Sequence, residues 1–263
     1  MNLLVREFLK SGLESAAREN VRTAPQVACF AHDVIGRKIM IDGVFEKREL
    51  LALERLLRAR PAPRRTCLDV GANIGNHALF LAGLFEEVLA FEPNRRTFRL
   101  LELNAELRPN VRPFNLGLSD RAAELPARMD ALNVGGARIV ASGEATTTFR
   151  VVALDDFLAD RPDVHVDFVK MDVEGHEAQA LDGARATLAR HRPMLAMEMD
   201  VRKTAEANAV LDRIEAHGYR GAYLLKASPP IVGTTSFQGM TLAAFRTLRA
   251  RDHKMVLFTH DPA

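Results

Sequence analysis

Tryptophan is absent from this 263-residue chain and tyrosine occurs only twice, so two of the aromatic side chains on which single-stranded nucleic acids stack are absent or scarce. No basic tract replaces them. Thirty-six Lys and Arg face 34 Asp and Glu, a formal net charge of +2, which gives a polyanion no field to follow. No nucleic-acid partner is expected. The two cysteines, Cys29 and Cys67, form neither a disulfide framework nor a metal-ligand spacing. No run approaches the ~20 apolar residues of a membrane span. The opening Met1-Asn2-Leu3-Leu4-Val5-Arg6 breaks too early for a signal-peptide core. The expectation is a cytoplasmic protein without integral membrane association. Internal repeats and low-complexity tracts are also lacking.

What is present is apolar content, 48% of the residues, enough to bury a full core. Leu4, Phe8, Leu9, Leu13, Ala16 and Ala17 make a stripe at helical spacing. It predicts a first helix that docks on its own domain or on a second subunit, making a homodimer through this helix the expected assembly. Asp33 to Phe45 reads as two short strands around the turn signal Asp42-Gly43, and Glu46 to Arg60 as a helix. Pro61-Ala62-Pro63 then marks a linker. Residues 1–65 are thus expected to be an extension of helix, hairpin and helix, and residues 66–263 the main domain.

From Thr66 onward apolar strands alternate with helical segments. Strands are expected near 66–70, 87–91, 111–116, 165–171, 193–199, 219–225 and 254–259, and helices near 75–85, 94–107, 176–190 and 202–217. This alternation predicts an α/β fold with a mostly parallel, doubly wound sheet covered by helices on both faces. Residues 117–164 (apart from a strand at Thr147–Val152) and 227–253 interrupt the rhythm, and long insertions of this kind are often binding loops or lids.

Chemistry concentrates at strand ends. Leu68-Asp69-Val70-Gly71-Ala72-Asn73-Ile74-Gly75 turns a strand tightly into a helix while its backbone can lie against a ligand. The dinucleotide fingerprint would need glycine where Asn73 and Asn76 stand, and a P-loop would end in Gly-Lys-Ser/Thr. A nucleotide-like ligand without a pyrophosphate fits better, S-adenosylmethionine first among them. Glu92, 17 residues beyond Gly75, is placed to accept hydrogen bonds from ribose hydroxyls, with Pro93 and Asn94 opening the next helix. Asn115, Ser119 and Asp120 follow the third strand, where they can meet an adenine edge or simply form a turn. Asp172, Glu174, His176 and Glu177 crowd the end of the fourth strand, beyond what helix capping requires, and Glu198 ends the fifth.

Four ordered blocks, Asp69 to His77, Ala90 to Asn94, Leu118-Ser119-Asp120, and Lys170 to Gly175 with Glu177, make the chain resemble the FkbM family of class I S-adenosylmethionine-dependent O-methyltransferases. The likeness runs from about residue 30 to Val256-Leu257-Phe258. It implies a Rossmann-like, seven-stranded, mostly parallel sheet with an antiparallel last strand, and methyl transfer to hydroxyls of sugars, glycolipids or polyketide-like products. On this reading the cofactor-binding residues are Asp69, Gly71, Asn73, Gly75, Asn76, Glu92, Pro93, Asn94, Asn115, Ser119 and Asp120. Asp69 would hold the donor's ammonium and the helix start near Gly75 its carboxylate. Asp172, Glu174 and His176 are the expected catalytic residues, candidates for the base that takes the hydroxyl proton, with His77 as a further candidate. Asp172 with Glu198 could alternatively hold a divalent metal, although no metal is assigned. The partner expected is a small-molecule or glycan acceptor. A protein or small-metabolite acceptor, or a non-catalytic binding protein on this fold, are the alternatives.

Overall fold

A computed structural model of the chain describes residues 2–129, 137–200, 204–226, 235–248 and 252–262. Helices α1 (Leu3–Thr23), α2 (Val34–Asp42) and α3 (Lys47–Ala59) precede β1 (Thr66–Val70), α4 (Asn76–Leu81), β2 (Glu87–Phe91), α5 (Arg95–Ala105) and β3 (Val111–Phe114). Four short strands follow: β4 (Gly117–Leu118), β5 (Ala123–Arg128), β6 (Arg138–Ile139) and β7 (Thr147–Val152). The chain continues through α6 (Leu154–Ala159), β8 (Val166–Met171), α7 (Glu177–Asp182), α8 (Arg185–His191), β9 (Met194–Asp200) and α9 (Thr204–Ala216). It ends with β10 (Gly221–Lys226), β11 (Ser236–Thr241), α10 (Leu242–Thr247) and β12 (Asp252–Thr259).

The main sheet has the order β11-β10-β12-β9-β8-β1-β2-β3. From β9 to β3 neighbouring strands are parallel, while β12 runs antiparallel to both β9 and β10. Seven strands therefore take the expected arrangement. The sheet nevertheless has eight, because β11 adds itself antiparallel along β10. Its sequence, Ser-Phe-Gln-Gly-Met-Thr, carries a glycine and no continuous apolar run, as suits a half-exposed edge strand. Residues 227–234 and 249–251 of that interrupting stretch lie outside the described residues, as do 130–136 of the earlier one. A smaller sheet, β4-β7-β5-β6, occupies much of the rest of the earlier interruption.

Burial on both faces explains the apolar strands. Leu68, Val70, Leu89, Phe91, Val169 and Met171 pack into one core, and Cys67, Val88, Ala90, Phe168 and Ala196 into another. Alternate residues of each strand thus point to opposite faces. The first core is completed by α6 to α9 and the second by α3, α4 and α5.

The hairpin expected over Asp33–Phe45 is instead helix α2. Asp33 caps its first turn, its Oδ1 accepting from Val34 N at 2.6 Å, and Gly43 ends it in the left-handed conformation at φ +80°. An Asp-Gly pair serves a hairpin turn and a helix C-terminus alike, since both need a positive φ. The helix expected over 176–190 is two, α7 and α8, meeting at Gly183 and Ala184. Helix α1 buries none of its residues. Among the described residues no helix is long and apolar enough to cross a membrane.

Asn104, 2% exposed on α5, ties the extension to the main sheet. Its Oδ1 accepts from Ala28 N at 2.7 Å, and its Nδ2 donates to Ala28 O at 2.9 Å and to Ile74 O at 2.8 Å. Truncation leaves one buried backbone group at Ile74 and two half-buried ones at Ala28 unpaired, so Asn104→Ala should lower the unfolding free energy by about 1–3 kcal/mol. Urea titration checks this, and a loss below about 0.5 kcal/mol would show that the contact ties nothing.

Candidate functional site

Strand order reverses beside β1: the chain proceeds outward through β2 and β3, then returns on the other side to β8. Ligands of such sheets sit beyond the strands' carboxyl ends at this switch point. A cavity of about 290 Å³ opens there, at the lower end of the ~300–1,000 Å³ of small-molecule pockets. The Gly71–Ile74 loop, Glu92, Pro93 and Thr97 line one part, and Lys170, Asp172, Glu174, His176 and Glu198 another. Ile139, Phe149 and Val151 of the small sheet, and Ile35, Phe45 and Glu46 of the extension, complete the wall.

The loop's geometry follows from its residues. Gly71 has φ +77°, and a Cβ there would lie 1.9 Å from the Asp172 carbonyl oxygen, so only glycine lets β1 and β8 end side by side. Asn73 also has positive φ, +53°, which asparagine tolerates better than most residues, and its Oδ1 accepts from Ile74 N at 2.8 Å. The Asn73 amide donates to Glu92 Oε2 at 2.9 Å and the Asn94 amide to Glu92 Oε1 at 2.8 Å. Burial pushes the Glu92 carboxyl up to about 7, against these two amides, which favour its ionised form. Thr97 Oγ1, on the 1%-exposed Thr97 of α5, has no hydrogen-bond partner among the described residues.

Several residues expected to touch a cofactor also brace the backbone. Asn76 lines the cavity, but its side chain clamps Phe45, accepting from Phe45 N at 2.9 Å and donating to Phe45 O at 3.1 Å. Asn94 caps α5, and Asn115 Nδ2 donates to the carbonyls of Glu92 and Pro93. Gly75 begins α4 at φ +91°. Ser119 Oγ donates to Asp120 Oδ1 at 3.1 Å and lies 2.9 Å from His176 Nε2, while Asp120 pairs outward with Arg121. Neither Ser119 nor Asp120 lines the cavity. Asp69 is fully buried beneath it.

Register explains where Asp69 goes. It stands opposite Lys170 in the parallel β1–β8 pair, and Lys170 opposite Ala196 in β8–β9. Two residues further on, Asp172 and Glu198 fall on the same face. Lys170 Nζ accordingly lies 3.4 Å from Asp69 Oδ1 and 3.6 Å from Asp172 Oδ2. Burial pulls the lysine pKa down, but Asp69 and Asp172 outweigh it and hold the ammonium well above its ordinary range. Lys170 was not singled out as a site residue, yet a lone lysine in Phe168-Val169-Lys170-Met171 is a readable signal, because a strand buried on both faces must pair such a charge. Glu46 offered no local signal. It sits at φ +56° at the start of α3, with its Oε2 3.2 Å from His77 Nε2.

Asp172 and Glu198 are neighbours, as expected, and each carboxyl is felt by the other. Partial desolvation, then the Asp172, Glu174 and Glu46 carboxylates, push the pKa of Glu198, an exposed residue, up to about 7. Glu174 lines the cavity at φ +54°. Glu177 Oε1 accepts from Val173 N and Gly175 N in the turn before α7, a helix with no side-chain cap hydrogen bond. Burial lowers the His176 pKa. Among the described residues no group of three or more His, Cys, Asp or Glu is arranged to hold a metal ion.

Because Glu198 holds its proton up to about pH 7 in the fold against an ordinary value of 4.5, its ionisation opposes folding. That cost is absent below about pH 4.5, grows through the interval and is complete above about pH 7. Glu198→Gln should therefore melt above the wild type at pH 8, with the gap closing at pH 4.5. Thermal melts across this range check it, and a gap independent of pH would contradict it.

The Methyltransferase FkbM domain model matches residues 69–220, more than half of the chain. The chain is 34% identical over 116 residues to the hexuronic acid methyltransferase AglP of Haloferax volcanii. That match covers 44% of this chain and 48% of AglP, so the chain spans about half the length of this relative. Among solved structures, the methyltransferase FkbM of Methylobacillus flagellatus KT aligns over 94% of this chain and 58% of its own, at 17% identity and TM-score 0.46. An rRNA methylase from Streptococcus thermophilus aligns over 84% and 100%, at 13% identity and TM-score 0.46. At these TM-scores the two structural likenesses carry no argument about function.

Proposed function

The chain belongs to the FkbM methyltransferase domain family, and from that premise we propose an S-adenosylmethionine-dependent O-methyltransferase acting on a hydroxyl of a sugar, glycolipid or polyketide-like product. A sugar acceptor is supported by the relative that modifies a hexuronic acid. The observation that carries the donor assignment is Glu92. Its carboxylate lines the cavity at the end of β2, held by two backbone amides, one on each oxygen. Each oxygen keeps lone-pair capacity for a ribose hydroxyl. Thr97 Oγ1, buried in the same cavity wall and without a hydrogen-bond partner among the described residues, is a second group that a polar ligand would satisfy. Pro93, Leu118 and Phe149 offer an apolar slot for a flat base.

When bound, the donor supplies a methyl group on cationic sulfur, already a strong electrophile. The protein's task is then to align an acceptor oxygen with that methyl, a positioning effect of up to ~7–11 kcal/mol. Asp172 and Glu174 are the side chains we assign to orienting the acceptor's hydroxyls, and His176, tied to Ser119, to shaping the same wall. In this reading residues 66–263 carry the donor fold and residues 1–65 complete the acceptor wall. Asp69 acts as the counter-charge of Lys170 in place of the ammonium-binding role expected of it.

Glu92→Ala should weaken S-adenosylhomocysteine binding by ~1.5–3 kcal/mol, the scale of a lost charge-assisted hydrogen bond, measured by calorimetry on protein shown to be folded. Unchanged affinity would place the ribose elsewhere.

We further assign a homodimer to α1. Leu4 and Phe8 are 76% and 79% exposed, and the helix carries Arg6, Lys10, Arg18 and Arg22 against Glu7, Glu14 and Glu19. Mixed charge of this kind suits a second copy of the same helix better than an anionic membrane surface. Sedimentation should show a dimer that Leu4→Glu with Phe8→Glu converts to a monomer; a monomeric wild type at tens of micromolar would refute it.

A further inference from the structure

Of the titratable groups around the cavity, most already have their bonding spent. Asp172 is engaged by Lys170 and Glu198, and His176 Nε2 by Ser119 Oγ at 2.9 Å. His77 differs. It is 8% exposed and lines the cavity, and its Nε2 makes no aligned hydrogen bond, although Glu46 Oε2 stands 3.2 Å away. Catalytic hydrogen bonds are often loose before the reactants are in place.

Two features hold this pair together. Asn76, the residue before His77, clamps the residue before Glu46 by both its backbone N–H and its carbonyl. Glu46 itself occupies the left-handed conformation at φ +56°, which costs a glutamate of order 1–3 kcal/mol and persists where the surroundings over-determine it. A turn needing only that backbone would be served by glycine at no such cost.

Resting on the methyltransferase reading, we infer that His77 is the base for the acceptor hydroxyl and Glu46 its positioning residue. The Glu46 carboxylate favours the tautomer with its proton on Nε2, which leaves the Nδ1 lone pair free to meet an acceptor. As the acceptor oxygen forms its bond to the methyl carbon, the carbon–sulfur bond breaks with its electron pair staying on sulfur. The hydroxyl proton passes to His77 Nδ1, and the resulting imidazolium is stabilised by Glu46.

The tautomer can be read without an acceptor, by long-range ¹H–¹⁵N correlation of the imidazole rings in the full chain saturated with S-adenosylhomocysteine, His77 being assigned by His77→Gln. The expected result is His77 protonated on Nε2 in the wild type. Glu46→Gly keeps the left-handed backbone and hence the fold, and should lose that preference. A wild-type ring protonated on Nδ1, or a tautomer unaffected by Glu46→Gly, would overturn the inference. Calorimetry on the same samples separates the two levels: bound S-adenosylhomocysteine with the wrong tautomer sinks only this pair, whereas no binding at all sinks the methyltransferase reading beneath it.

Discussion

One buried ammonium organises the floor of this site. Lys170 Nζ lies 3.4 Å from Asp69 and 3.6 Å from Asp172, with Asp69 wholly removed from solvent. A carboxylate so buried is tolerable only beside a counter-charge, and a lysine in the middle of a parallel sheet only beside a carboxylate. Register brings the two together. The same strand alternation then points Asp172 and Glu198 onward into the cavity. Asp172 is thus anchored to the core through a lysine that itself forms part of the cavity lining.

Around that floor the cavity draws on three parts of the chain. The β1–α4 loop and Glu92 form one end, the small sheet lays Ile139, Phe149 and Val151 over it, and the extension brings Phe45 and Glu46. Among the described residues, three of the four non-glycine residues with positive φ, Glu46, Asn73 and Glu174, line this one cavity, and the fourth, Arg192, ends a helix. Backbone strain gathered at a cleft is the pattern expected where side chains are aimed for function.

The central sheet was legible in the sequence because its strands are buried on both faces and read as apolar runs. The loop after β1 and Glu92 were legible because glycine and acid at a strand's end have few other uses. Other parts were hidden for physical reasons. Asp42-Gly43 fits a hairpin and a helix C-terminus equally well, so α2 was misread. Edge strand β11 has no apolar run to betray it. Asn76, Asn94 and Asn115 each brace the backbone, a role that carries the same sequence signature as binding a ligand and so could not be read in advance. Glu46 follows Phe45, which Asn76 clamps in a tertiary contact across 31 residues that no local pattern announces. Lys170 was readable in principle, since a lone lysine in a doubly buried strand demands a partner and the β1–β8 register supplies it.

The dependence of the site on that ion pair can be measured directly by equilibrium unfolding of Lys170→Met beside the double variant Lys170→Met with Asp69→Leu. Removing only the lysine leaves a buried, uncompensated carboxylate and should cost about 3–5 kcal/mol, whereas replacing both by apolar side chains should recover most of that loss. A single variant within about 1 kcal/mol of the wild type, or a double variant as unstable as the single, would contradict the view that this pair holds the floor in place.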